Sequence, residues 1–310
     1  MSNPLISLCI PTNGVVEWVF NTLDSIYQGA VSEELFEVVV TNNGNNEEFH
    51  QKMLTYAQKH SNIVYEKTDA PLFLNEIESY KRASGEFIKF LNHRSLLLPD
   101  TLQAFVAFVQ ENIDEKPVIY FTNGFLKGEK IAFACDSFDT FVEKLSYWSS
   151  CSTGMGFWKQ DFESIPVGTT FNELFPHTTI LFWERNRNKY IVDNRVLLGE
   201  QPTGSIPKGR YDLFHAFAVE YPAILCDLVR DGSISTQTFL QVKEDNLSFI
   251  AEQYIIFVIH KSPCSYDLSS FDSSIQVFYS RKQISSALHD LRWGAIKDKF
   301  KRLVKKNTAQ

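Results

Sequence analysis

Short apolar runs alternate with amphipathic stretches along the first 125 residues. Leu5 to Ile10 is apolar and stops at Pro11-Thr12-Asn13-Gly14, the pattern of a buried strand running into a loop. Val15, Val16, Val19, Leu23 and Ile26 then recur at helical spacing up to Gly29. Phe36 to Val40 is a second β-branched run, stopped by Thr41-Asn42-Asn43-Gly44-Asn45-Asn46. Glu47 to Lys59 is polar and helix-compatible, and Asn62 to Glu66 predicts a third strand. Asn75 to Ser84 reads as a helix and Phe87 to Leu91 as a strand. Pro99 to Asn112 follows as a helix with Leu102, Phe105, Val106 and Val109 on one face, and Val118 to Thr122 as a fifth strand. This alternation predicts an α/β fold, a mostly parallel sheet flanked by helices. Ligands of such sheets bind beyond the carboxyl ends of the strands. Three tight polar loops fall there: 11–17, 41–46 and 92–95.

The second half is less regular. Cys151 to Lys159 is Gly/Ser-rich, then aromatic, and Phe175-Pro176-His177 opens a helix with Pro in its first turn. Trp183 to Lys189 is a charged surface stretch and Tyr190 to Leu198 a strand. Gly199 to Gly209 is a Gly/Pro-rich loop with the composition of a lid. Tyr211 to Val229 and Phe239 to His260 predict a helix-rich C-terminal region. No repeat is visible, and no linker cleanly divides the chain, so its halves are expected to share one core.

Composition narrows the class. Of 310 residues, 44% are hydrophobic and 22% charged, which excludes disordered and fibrous chains. The net charge of −7 argues against nucleic acid as a partner of the body. Five scattered cysteines without a CxxC pair predict buried free thiols and a reducing, cytoplasmic compartment. The N-terminus lacks a secretory pattern, and no apolar run reaches the roughly 18 residues that span a bilayer. His215 and His260, in apolar helical surroundings, are expected to be core histidines; His50, His60 and His289 are expected at the surface.

The segments SLCIPTNG…NTLDSI, FEVVVTNNGNN and ASGEFIKFLNHRSLLLPDTL, in that order and spacing, resemble the nucleotide-sugar-binding half of family 2 glycosyltransferases of GT-A fold. The likeness covers roughly residues 4–125. STGMGFWKQDF…FPHTTILFW more loosely resembles the acceptor half of bacterial O-antigen and capsule sugar transferases. The resemblance implies a donor half over 1–125 and an acceptor-side half with the lid loop over 126–210; the residue pattern adds a helical region over 211–291 and a basic tail over 292–310. It assigns the nucleotide to Pro11, Thr12, Asn13 and Glu17 in the first loop. In the second loop Asn42, followed by Asn43, stands where the family usually has an Asp; an amide both donates to and accepts from a base edge. In the third loop the family has an acidic triplet that holds a divalent metal on the diphosphate. Here the residues are Asn92, His93 and Arg94. With no carboxylate, a Mg²⁺ or Mn²⁺ site is not expected, although His93 suits the softer Mn²⁺. The Arg94 guanidinium is a substitute partner for phosphate oxygens.

Inverting sugar transfer needs a base for the acceptor hydroxyl and donors for the departing diphosphate. The resemblance puts the base at the start of the 176 helix, where Glu173 and His177 are candidates; Asp161 is a third. Trp148, Trp158 and Trp183 are candidates for stacking on sugar rings, with core packing as the alternative. The activity implied is transfer from a nucleotide sugar to a lipid-linked glycan in bacterial surface-polysaccharide synthesis. The alternative is a GT-A-like protein that has lost catalysis and serves in binding or assembly. A nucleotidyltransferase would need a Gly-rich basic loop after the first strand, and Pro11-Thr12-Asn13-Gly14 is not one.

The tail changes the picture once more. Residues 292–310 carry net +6, which leaves −13 on the rest. Trp293, Ile296, Phe300, Leu303 and Val304 fall on one stripe of a helix, with Lys297, Lys299, Lys301, Arg302, Lys305 and Lys306 around it. A basic amphipathic helix of this kind suits the surface of an anionic bilayer. The expected location is therefore peripheral, on the cytosolic face of the inner membrane.

Overall fold

A computed structural model of the chain describes residues 3–202 and 211–291. The protein divides into two compact units, Met1–Pro202 and Thr203–Gln310. Unit 1 opens with β1 (Ile6–Thr12), α1 (Val16–Tyr27), β2 (Phe36–Asn42), α2 (Glu47–Ala57) and β3 (Ile63–Lys67). It continues through α3 (Asn75–Arg82), β4 (Phe87–Phe90), β5 (Ser95–Leu97), α4 (Thr101–Asn112) and β6 (Val118–Phe121). Then come β7 (Ala132–Cys135), α5 (Phe138–Leu145), β8 (Met155–Trp158), α6 (Lys159–Glu163), α7 (Pro176–Leu181), β9 (Tyr190–Asp193) and β10 (Leu198–Glu200).

Eight strands form one sheet in the order β3-β2-β1-β4-β8-β6-β9-β7, and β5 pairs with β10 in a separate ribbon. The left side, β3 through β4, is parallel. β8 runs antiparallel to both β4 and β6, so those two point the same way. β6 and β9 are parallel. The carboxyl ends of β1, β2, β4, β6 and β9 thus share one edge, where the amino end of β8 also lies. The sheet is continuous from residue 6 to residue 193, and one apolar cluster runs from Ile6 through Trp158 to Leu198. The even spread of hydrophobic residues in β1 and β2 follows from this two-sided burial.

β4 meets β1 closely because Gly85 carries no side chain: a Cβ there would lie 2.7 Å from Ser7 N. Beside it the buried carboxylate of Glu37 accepts from Ser7 Oγ (2.5 Å), Ser84 N–H (2.5 Å) and Ser84 Oγ (2.8 Å). On β4, Lys89 is wholly buried, and its ammonium donates to the carbonyls of Phe90, Thr153 and Met155 at 2.8–3.0 Å. Burial pulls its pKa down to about 7.

Two expectations need correction, and a segment with no expected element gains one. Tyr190 to Leu198 is two strands: Asn123 breaks the run, its Oδ1 accepting from Leu197 and Leu198 N–H and so turning β10 toward β5. The aromatic end of Cys151 to Lys159 is a central strand, β8. The lid segment begins fixed, because Leu198–Glu200 is paired with β5 and Gln201 is buried; residues 203–210 lie outside the described residues.

Unit 2 has its own apolar cluster. It contains α8 (Leu213–His215), continuing through a π turn into α9 (Tyr221–Arg230), then α10 (Thr236–Gln253), a π turn (Tyr254–Ile259) and α11 (Phe271–Phe278). His215 is half-exposed beside Glu220 and His260 is exposed, so neither is a core histidine. The five cysteines are free, and Cys264 is exposed rather than buried. Among the described residues no helix is long and apolar enough to cross a membrane. The basic tail lies outside the described residues.

Candidate functional site

Side-chain bonds knit the three loops at the carboxyl ends of β1, β2 and β4. Gly14, at φ +82°, lets the first loop turn back, and its N–H donates to Thr12 Oγ1 at 3.1 Å. A Cβ on Gly44 would stand 1.9 Å from the Asn13 carbonyl oxygen, so the first and second loops touch backbone to backbone. Asn43 N–H closes the join on Thr12 O at 3.0 Å. Asn42 is fully buried; its Oδ1 accepts from Gly44 N–H at 2.8 Å and its Nδ2 donates to the Tyr65 hydroxyl at 3.5 Å. Asn43 Nδ2 donates to the carbonyls of Ala70 and Leu72. Asn75, at the start of α3, donates to Thr12 O (3.2 Å) and Thr41 O (2.9 Å). Asn13 and Glu17 stay exposed at the rim, and Pro11 is half-buried.

The third loop joins through His93, whose Nδ1 lies 2.9 Å from Thr12 Oγ1. Burial, and then the neighbouring Arg94 charge, push the His93 pKa down to about 4, so the ring is neutral at pH 7. Asn92 Oδ1 accepts from Arg94 N–H at 3.0 Å and turns the chain. Arg94 goes elsewhere. Its guanidinium lies over the Trp18 ring, 5.4 Å from the centroid, pairs with Glu200 and donates to Gln201 O at 3.2 Å. Gln201 is tied in turn to Trp18 O and Thr22 Oγ1 on α1. The expected phosphate partner is therefore engaged with β10.

The structure thus brings Thr12, Asn42, Asn43 and His93 together, adds Asn75 and leaves Asn13 and Glu17 at the mouth. Asn75 lies 33 residues past Asn42 in the chain, and only the parallel order of β1 and β2 shows that its amide can bridge them. No group of three His, Cys, Asp or Glu able to hold a metal ion occurs among the described residues. The donor set of amides, one neutral imidazole and a paired guanidinium does not fit a hard divalent cation.

Beside this cluster α7 packs against α3, β8 and residues 146–150. Asn172 Oδ1 caps its approach, accepting from Leu174 and Phe175 N–H, and Pro176 opens the helix. His177 is 3% exposed and its Nδ1 stands 3.6 Å from Oε2 of Glu76, also 3% exposed. Glu173 lies exposed on the preceding loop. Asp161 is not at this edge. β8 runs against β4, with Trp158 opposite Phe87, so α6 starts at the amino ends of β1 and β4. Asp161 is bound there to Arg187 at 2.5 Å, and burial raises its pKa. This placement removes it as a base for a donor at the loops. Trp158 is core and Trp183 donates to Ser164, whereas Trp148 stacks with Phe125 (4.4 Å between centroids) and Tyr147 (5.0 Å) beside α7.

An open α/β sheet with a polar loop cluster at its carboxyl edge and an antiparallel insertion beside it defines a GT-A-type architecture. No protein-family profile matches the chain. An uncharacterized glycosyltransferase of Rickettsia bellii (strain RML369-C) is 27% identical over 109 residues, 34% of this chain and 15% of that protein. The chain therefore spans a small part of that relative's length. Staphylococcus aureus TarS superposes with a TM-score of 0.53 at 14% identity, over 81% of this chain and 44% of that one. TarS 1–349 in complex with UDP-GlcNAc gives 0.51 at 12% identity, over 93% and 92%. The fold is that of GT-A glycosyltransferases, and about a third of the sequence is similar to a protein named as a glycosyltransferase.

Proposed function

We propose that the chain is a glycosyltransferase that moves a sugar from a nucleotide-sugar donor to a lipid-linked glycan acceptor in bacterial surface-polysaccharide synthesis, with inversion. The observation that carries this reading is the bonded loop cluster at the carboxyl ends of β1, β2 and β4, in a fold shared with a protein crystallised with UDP-GlcNAc. The nucleotide lies across Pro11, Thr12, Asn13 and Glu17, with Asn42 and Asn43 beneath the base and Asn92 and His93 toward the diphosphate. Arg94 reaches the diphosphate once its pairing with Glu200 opens. His177 takes the acceptor proton, and Glu173 is the nearby alternative. The exposed side of the Phe125–Trp148 stack lies on the same edge and offers an apolar face to a sugar ring. The tail holds the chain to an anionic membrane on the cytosolic side, where a lipid-linked acceptor would be presented.

A screen of nucleotide sugars by thermal shift, with and without Mn²⁺ or Mg²⁺, tests the donor reading. UDP-GlcNAc is the first probe. A donor at 100 times its Kd raises stability by about 2.7 kcal/mol. No shift with any donor favours the second reading, a GT-A-like binding or assembly protein, which the lack of a carboxylate at 92–95 supports.

A further inference from the structure

Four buried polar atoms of unit 1 have no hydrogen-bond partner and lie together: Glu76 Oε2, the Tyr80 hydroxyl and both ring nitrogens of His177. A buried polar group left unpaired costs about 1–3 kcal/mol, so three such side chains in one place call for an explanation. They come from two helices that meet, α3 and α7. Aromatic rings wall them in: Phe157 and Phe162 stand edge-on to Tyr80 at 4.9 and 6.1 Å, and Phe175 edge-on to His177 at 6.2 Å. Asn75, the residue before Glu76, is bonded to the carbonyls of Thr12 and Thr41, so the cluster adjoins the donor loops directly.

We propose that Glu76 is the positioning residue for His177, its carboxylate holding Nδ1–H and so fixing the tautomer whose Nε2 lone pair receives the acceptor's proton. The proposal rests on the reading of His177 as base. The 3.6 Å between Nδ1 and Oε2 closes to a charge-assisted hydrogen bond with a shift of about 0.7 Å. Tyr80, four residues on along α3, then donates to the same carboxylate. Nε2 stays unpartnered in the free protein because its partner is the incoming hydroxyl. In the transfer step the acceptor O–H bond breaks and its proton goes to Nε2. The acceptor oxygen forms a bond to the anomeric carbon, and the bond from that carbon to the diphosphate oxygen breaks with its electron pair leaving on the diphosphate. The imidazolium so formed faces the buried carboxylate of Glu76, which stabilises it. This is the division of labour between a carboxylate and an imidazole that a base needs, built across two helices 101 positions apart in the chain.

The test is ¹⁵N NMR of the histidine rings in the full chain, with the His177 signals identified by their loss in His177→Asn. The expected spectrum shows His177 protonated at Nδ1, moving toward the Nε2–H form in Glu76→Gln. Hydrolysis of UDP-GlcNAc, with water as acceptor, is expected to fall at least about a hundredfold in kcat in Glu76→Gln with KM unchanged, and Glu76→Asp recovers part of it. Glu76→Asp also serves if Glu76→Gln does not fold. An Nε2–H tautomer in the wild type, a tautomer that both variants leave unchanged, or an unaltered kcat in Glu76→Gln overturns the positioning role. Full hydrolysis in His177→Asn overturns the base reading instead, whatever the tautomer shows.

Discussion

Gly44 offers a sharp test of the loop cluster. In Gly44→Ala the new Cβ would stand 1.9 Å from the Asn13 carbonyl oxygen and 2.4 Å from its carbon, where real Cβ contacts essentially never fall below 3.0 Å. The two loops must part by about 1.1 Å, and both contacting atoms are backbone, so no side chain can swing away. That movement strains the Asn43 N–H bond to Thr12 O and the Gly44 N–H bond to Asn42 Oδ1. Overpacking of this kind costs about 1–3 kcal/mol, and a weakened hydrogen bond about 0.5–1.5 kcal/mol. A loss of about 2–4 kcal/mol follows, which for a unit of this size lowers Tm by roughly 5–15 °C. A displacement near 1 Å at a binding loop also weakens function about a hundredfold. The control is Gly29→Ala, where the added Cβ meets nothing within 4 Å. Differential scanning calorimetry and titration with UDP and UDP-GlcNAc compare the two. If Gly44→Ala keeps the Tm and affinity of Gly29→Ala, the loops do not depend on each other and the cluster is not a rigid site.

Four further outcomes are expected. Because the His93 pKa drops from its ordinary 6.5 to about 4 on folding, the unfolded chain binds more protons between those values. Stability should fall as pH drops through that window, by up to about 3 kcal/mol, and His93→Gln should flatten this limb in urea titrations. Lys89 acts at the other end: lowered from 10.5 to about 7, it makes stability rise as pH climbs between those values, and Lys89→Met should remove that slope. Glu37→Ala leaves the Ser84 N–H and the Ser7 and Ser84 hydroxyls without their carboxylate acceptor and should cost about 1–3 kcal/mol in chemical denaturation. Truncation after Leu291 should abolish sedimentation with anionic liposomes at low salt; equal pelleting of full and truncated chains would end the membrane reading.

The N-terminal half of the fold was legible because each strand there is an uninterrupted apolar run closed by a polar turn. β1 and β2 nevertheless extend two residues beyond those runs, to Thr12 and Asn42. These polar ends pair in register with each other, and the sequence alone marks them as loop. β8 escaped notice because only Met155–Trp158 is apolar, too short a run to separate from the surrounding Gly/Ser turns. It is a strand because β4 and β6 need a partner between them, a tertiary demand with no local signal. The break at Asn194 in the 190–198 run was hidden for a similar reason. Its cause is Asn123, which is distant in sequence and holds φ 51°.

The site divides along the same line. Residues that end or follow a strand, such as Thr12, Asn42 and His93, could be located by counting from the apolar run, since strand order fixes where those ends go. Direction was harder. Arg94 sits in the expected loop, yet its side chain leaves the cluster because Trp18 offers a ring face and Glu200 a carboxylate on a ribbon that the sequence had cast as a lid. Asp161 failed on direction too, since reversing β8 moves everything after it to the opposite edge. Glu76 could not be found by position at all. It lies in a polar helix, Asn75–Arg82, whose sequence resembles any solvated surface helix, and it is buried because α7 covers it. A carboxylate and an imidazole placed by two separate helices carry no spacing rule. The signal that exposes them is physical: titratable side chains under the protein surface without the partners that burial ordinarily requires.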